Sequence, residues 1–284
     1  MSAPPEGEVH RVGDRVFRVI SRPGTGPAVL LLGGCGVPGF VWAGVEHRLA
    51  GRRLLRIERP GMAGTPWPGR APHLAEEVAT IVAALRSVDG PAVIVAHSMA
   101  AFHAEALGRE HPDLVAGLVL LDPSVERAAK RVATDRSVLG LARSMPRLFR
   151  VPLLGGLPAA VAVRLMNAQC HDGLPAGMRA QARRTFSAPD AVAAVFAELA
   201  AYPAQAGDLA RLRSRGVWPD RPAIVLSAMD GPLAGREHLA HTWLAKVLDA
   251  EHRSLDDSRH LMMVDRPDAV TDAVHRLIAR IETA

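Results

Sequence analysis

The 284-residue sequence is poor in cysteine, lysine, aromatic residues and long apolar runs. Two cysteines, Cys35 and Cys170, make no disulfide framework, and no CxxC or Cys/His cluster offers a structural metal site. Lysine occurs only at Lys130 and Lys246, so arginine carries nearly all the positive charge behind the formal net value of +5. No helix-turn-helix, zinc-finger or RNP-like signature turns that charge into a nucleic-acid partner. Aromatic residues make up 4% of the chain, so aliphatic side chains must fill the core. No stretch reaches membrane-spanning length. The N-terminal residues MSAPPEGEVHRVGDRVF lack the apolar run of a signal peptide. A soluble, cytoplasmic protein without metal or cofactor is therefore expected.

What is present is an alternation of strand and helix. EVHRVGDRVFRVI (8–20) alternates apolar and polar residues around Gly13-Asp14, the pattern of a β-hairpin. AVLLLGG (28–34), AVIVA (92–96), GLVLLD (117–122) and AIVLSAMD (223–230) are continuous apolar runs, as expected of strands buried on both faces. Helical spacing marks 74–88, 99–111, 235–248 and 267–281, and AEHRSL (250–255) predicts a short strand. This order predicts an α/β fold with a mostly parallel sheet and helices on both faces. Between about 125 and 219 the sequence offers helical stretches, arginines and prolines but no convincing core strand. The expected organisation is a core of residues 1–124 and 220–284 with a helical cap inserted at 125–219.

The run VIVAHSMAAFHAEAL (93–107) carries the strongest chemical signal. A β-branched strand climbs to Ser98 and a helix leaves it, the shape of a nucleophile elbow, G-x-S-x-G. Both glycine positions hold alanine, Ala96 and Ala100. Strand and helix crowd together at these positions, and alanine adds only one methyl. The competing reading is a serine that merely caps the helix; the flanking strand and helix favour the nucleophile.

AVLLLGGCGVPGFVW, ERPGMAGT, VIVAHSMAA, GLVLLDP, AIVLSAMDGP and DSRHLMMVDRPDAV follow one another in an order that resembles the α/β-hydrolase family, over about residues 28–122 and 222–282. The resemblance implies a Ser-His-Asp triad and an acyl-enzyme. Of twelve histidines, His260 occupies the place of the family's general base. His103 reads as a packing residue, and His238 and His241, three apart on a helix, lack a third ligand for a metal pair. The acid is expected at Asp230, which ends AIVLSAMD, with Asp122, which ends GLVLLD, as the alternative. The oxyanion would be held by the backbone N–H groups of Met99 and Cys35. Gly33 stands where the family commonly has histidine, which removes a side chain that often anchors this loop. ERPGMAGTP (58–66) is expected to be structural. Gly34, His97 and Trp42 are the candidate substrate-binding positions; His97, beside Ser98 in the turn, reads rather as a supporting or packing residue with its side chain turned elsewhere, and Trp42 as packing or pocket wall.

Serine at the elbow argues against the aspartate-nucleophile branches of the family. The implied reaction is acyl transfer to water, with carboxylester hydrolysis its plainest form. Thioester, lactone and carbon–carbon hydrolysis use the same groups, and a receptor or a cofactor-free lyase or perhydrolase could share the fold. The 125–219 segment holds fourteen Lys and Arg against six acids, a balance of +8 that leaves −3 for the rest of the chain. Such an excess fits a solvated surface. It also fits steering of an anionic substrate, or of an acidic carrier domain bearing the acyl group.

Overall fold

The computed structural model describes residues 7–127, 133–149, 156–232 and 234–283. An eight-stranded sheet runs through it in the order β1-β2-β4-β3-β5-β6-β7-β8. β1 (Glu8–Val12) and β2 (Arg15–Arg22) form the expected hairpin, with Gly13 in the left-handed region at φ 59°. β2 also runs antiparallel to β4 (Arg52–Glu58). From β4 onward the pairings are parallel, through β3 (Thr25–Leu32), β5 (Ala92–His97), β6 (Val115–Leu121), β7 (Ala223–Ala228) and β8 (Glu251–Leu255).

Strand periodicity sorts the apolar runs onto the two faces of the sheet. Val29, Leu31, Val93, Val95, Val119, Leu121, Ile224 and Leu226 share one cluster. It is covered by α1 (Ala43–Arg48) and by the C-terminal α10 (Pro267–Thr283), which follows the one-turn α9 (Met262–Asp265). Leu30, Leu32, Ile94, Ala96, Leu118, Leu120 and Val225 face the other way, under α2 (Leu74–Leu85), α3 (Ala100–Glu110) and α8 (Ala234–Val247). Trp42, expected near substrate, is fully buried in the first cluster between Val41 and Val45. Its bulk fills the core, so it is not a pocket residue.

β4 was not legible as a strand, because Arg52, Arg53 and Arg56 interrupt its apolar residues. The structure neutralises Arg56 with Glu46, at 2.6 Å, and with Glu58.

Between β6 and β7 lie α4 (Arg136–Leu148), α5 (Leu157–Ala168), α6 (Ala176–Phe186) and the 25-residue α7 (Pro189–Arg213), with no strand among the described residues of this segment. Asp135 caps α4 by accepting from the N–H groups of Ser137 and Val138, and Pro189 starts α7 at a position where its missing N–H costs nothing. Lys130, Arg131 and Arg150, which contribute to the charge of the segment, lie outside the described residues. Arg143, Arg147, Arg183 and Arg184 are exposed. No described helix is long and apolar enough to cross a membrane.

Candidate active site

The loops that follow β3, β5, β6 and β8 meet at the C-terminal edge of the parallel strands, where open α/β sheets place their ligands. Ser98 occupies the tight turn between β5 and α3. Its φ of 54° is in the left-handed region, and that of Asp122, directly after β6, is 41°. Each such residue costs on the order of 1–3 kcal/mol and persists only where its surroundings hold it. Here the surroundings are backbone hydrogen bonds that tie the two turns to each other and to β7. Ser98 N–H donates to Leu121 O at 3.0 Å, Ser124 N–H to Ser98 O at 3.1 Å and Asp122 N–H to Leu226 O at 2.8 Å. Ala96 and Ala100 are fully buried, so the elbow closes around alanine where glycine was expected.

His260 lies between the two turns. Its Nε2 is 3.0 Å from Ser98 Oγ and its Nδ1 is 2.6 Å from Asp122 Oδ2. A carboxylate accepts only, so Nδ1 carries the hydrogen and Nε2 presents its lone pair to the serine hydroxyl. Burial pushes the Asp122 carboxyl up, but the hydrogen bond and charge of His260 outweigh it and hold the group below the usual range. Ala228 N–H donates to the second oxygen, Oδ1, at 3.1 Å.

Asp230, the expected acid, does not reach His260. Its Oδ2 accepts from Arg259 Nε at 2.8 Å and lies 2.7 Å from His171 Nδ1. The reason is depth along the sheet. Asp122 N–H bonds to Leu226, still inside β7, whereas Asp230 comes two residues beyond that strand and its N–H donates to Ser258 O. Asp230 therefore joins the strand edge to the inserted helices and braces the residue before His260. Nearby, Leu261 N–H donates to Gln169 O at 2.9 Å.

The loop after β3 presses against the elbow. A Cβ added at Gly34 would lie 2.6 Å from Ser98 Cβ and 3.0 Å from His97 Nδ1, so only glycine fits. Gly34→Ala is expected to lower kcat/KM by at least about a hundredfold, the scale of an ångström-sized misplacement at a reacting centre. Ester turnover beside a melting curve checks this; unchanged turnover would mean that the loop moves aside at no cost. The N–H groups of Cys35 and Met99 find no acceptor among the described residues. The Cys35 thiol is pushed well up by burial and then by the Glu198 carboxylate, so it is not a thiolate nucleophile.

His97 corrects another expectation. It is fully buried behind His260, with ring centroids 4.5 Å apart, and its Nε2–H donates to His260 O at 2.8 Å. Burial, then the neighbouring His260, lowers its pKa to about 3, so it is a neutral support that does not face substrate.

Arg59 and Glu198 carry a role that the sequence did not reveal. Arg59, in the loop after β4, donates to the carbonyls of Gly33 and, at 2.6 Å, Gly34. Its Nε pairs with Glu198 of α7 at 2.7 Å, and Glu198 Oε2 accepts from Gly36 N–H at 2.8 Å. Burial opposes the charge on Arg59, but Glu198 overrides it and holds the guanidinium pKa above its ordinary value. The pair thus grips the loop on both sides of Cys35, in place of the missing histidine. ERPGMAGTP was legible only as a structural loop, and Glu198 is 139 residues from Arg59.

Two cavities border the residues around the serine, one at the loop after β3 and one at Asp122 and His260. One, about 190 Å³, is apolar and is lined by Cys35, Gly36, Met166, Phe186, Val195 and Phe196. The other, about 220 Å³, has His260 at its wall with Ser124, Tyr202, Arg236 and Glu237. Among the described residues no group of three or more His, Cys, Asp or Glu side chains could hold a metal ion.

The alpha/beta hydrolase family model matches residues 29–273 of the chain. Lipase LipV of Mycobacterium tuberculosis is 36% identical over 111 residues, 38% of this chain and 42% of the relative. Pimeloyl-[acyl-carrier protein] methyl ester esterase of Aeromonas hydrophila is 32% identical over 110 residues, 37% of this chain and 41% of the relative. The chain thus matches about two fifths of the length of these relatives. Among solved structures, an alpha/beta hydrolase fold protein from Burkholderia ambifaria superposes with a TM-score of 0.73 at 18% identity, covering 94% of this chain and 96% of that one.

Proposed function

Because the chain belongs to the alpha/beta hydrolase family, we propose that it is a serine hydrolase that cleaves carboxylic esters, with Ser98 as nucleophile, His260 as base, Asp122 as acid and α4–α7 as the cap. The observation that carries this reading is the line Asp122–His260–Ser98, at 2.6 and 3.0 Å. Ser98 Oγ attacks the ester carbonyl carbon while its proton passes to His260 Nε2. The oxyanion is received by the N–H groups of Cys35 and Met99. His260 then protonates the departing alkoxide, and a water deprotonated by the same nitrogen attacks the acyl-enzyme and frees Ser98. The apolar cavity beside Cys35 suits the acyl chain, and the cavity walled by His260 suits the leaving alcohol. Thioester and lactone hydrolysis would use the same atoms. A fluorophosphonate probe should label the protein, and Ser98→Ala should abolish both labelling and turnover of esters. Labelling that persists in the variant would remove Ser98 from this role.

A charged or carrier-borne acyl group is the finer reading of the substrate. It is favoured by the exposed arginines of α4 and α6 and by the relative named for a carrier-protein ester. With steering, kcat/KM for an anionic ester should fall as salt rises, because screening shortens the reach of the cap's charge. A neutral ester of the same shape should barely respond. Equal responses would leave the arginines as an ordinary solvated surface.

A further inference from the structure

Asp122 is followed by Pro123, which has no N–H to hold the far side of this strained turn. Asp122 is tied to β7 through its own N–H and Oδ1, and Ser124 N–H is bonded to Ser98 O. Between them the remaining handle is the Pro123 carbonyl, which lies 2.8 Å from Nε2 of His241. We propose that His241 is a positioning residue for the acid of the triad: it holds the Asp122–Pro123 turn through that carbonyl, and Ser227 and His252 set which of its ring nitrogens carries the hydrogen. The inference rests on the reading of Asp122 as the acid.

The hydrogen-bond directions follow from the groups present. A carbonyl only accepts, so His241 Nε2 must carry a hydrogen. In the neutral ring Nδ1 is then an acceptor, and Ser227 Oγ lies 2.8 Å from it. The Ser227 hydroxyl hydrogen is committed to His241. Its oxygen can therefore accept from His252 Nε2, 2.7 Å away. One ordered chain results, from His252 through Ser227 and His241 to Pro123 O. His241 and Ser227 are both buried, on α8 and β7.

The tautomer matters because His241 Nδ1 also lies 3.9 Å from Asp122 Oδ1. A hydrogen and a positive charge at that nitrogen would place a second imidazolium beside the carboxylate and compete with His260 for it. Burial lowers the pKa of His241, and burial followed by His238 lowers that of His252 to about 4. Both rings are thus neutral near pH 7, and the charge of Asp122 is left to His260.

His241→Leu is expected to lower kcat between about tenfold and a hundredfold through a loosened acid, with KM within twofold. His241→Gln should recover most of the loss, because its amide N–H can reach Pro123 O. Ser227→Ala, which keeps the ring but removes the group that orders it, should fall between them. In an Asp122→Asn background, His241→Leu should cost nothing further, since residues that act as one unit are not additive. A full additional loss there, or a failure of Gln to restore kcat, would make His241 merely structural and overturn the proposal. Near-native activity of Asp122→Asn alone would instead overturn the assignment of the acid. That outcome is distinct from a functional Asp122 with an irrelevant His241.

Discussion

Asp122→Asn is expected to lower kcat by about four orders of magnitude, the scale seen when a triad acid is made neutral, while Asp230→Asn stays within about tenfold of the parent. The asymmetry follows from the two environments. Asp122 Oδ2 is the acceptor for His260 Nδ1–H, so an amide there ceases to fix the tautomer that turns Nε2 toward Ser98. The fold should survive, because an asparagine oxygen can still accept from Ala228 N–H. Asp230 meets Arg259 and His171, and its loss loosens the residue before His260 without touching the ring. Steady-state kinetics of both variants on one activated ester decides the matter. The reverse ranking would return the acid to Asp230.

Arg59→Met should be the most destabilising of the substitutions considered. It strands Glu198 in a buried site, and breaking a buried pair from one side costs about 3–5 kcal/mol. It also releases the Gly33 and Gly34 carbonyls, so the Cys35 N–H should lose its aim at the oxyanion. A drop in kcat of about a hundredfold is expected, in the range for removal of one oxyanion donor. The double variant Arg59→Met/Glu198→Leu separates the effects. It should regain much of the melting temperature, since no charge is left unpaired, but not kcat, since the loop remains unanchored. Recovery of both together would show that the pair contributes stability alone.

Much of the core was legible because buried parallel strands write themselves as continuous aliphatic runs, and AVIVA before Ser98 with MAAFHAEAL after it gave the elbow directly. The carboxylate that meets His260 was not legible for a geometric reason. GLVLLD and AIVLSAMD both end a buried strand in aspartate, and a linear pattern does not show how far each strand reaches across the sheet. Asp122 follows the last residue of β6, whereas Asp230 overshoots β7 by two. β4 was hidden by Arg52, Arg53 and Arg56, since the partners of Arg56 on α1 and at the strand's end make sense only after folding. Arg59 was hidden in the same way, its carboxylate waiting on α7.

The reach of Glu198 from α7 to Gly36 and Arg59 also bears on how such proteins can be recombined. A helical segment grafted from another protein onto this sheet would need a carboxylate at the position of Glu198. Without it, Arg59 would sit charged and unpaired beneath the loop after β3, and the graft would damage the reaction centre however well its helices packed. Chimeras that exchange residues 133–213 should therefore sort by one side chain: those that keep the acid stay active, and those that replace it with an apolar residue regain stability, but not turnover, from a matching change at Arg59.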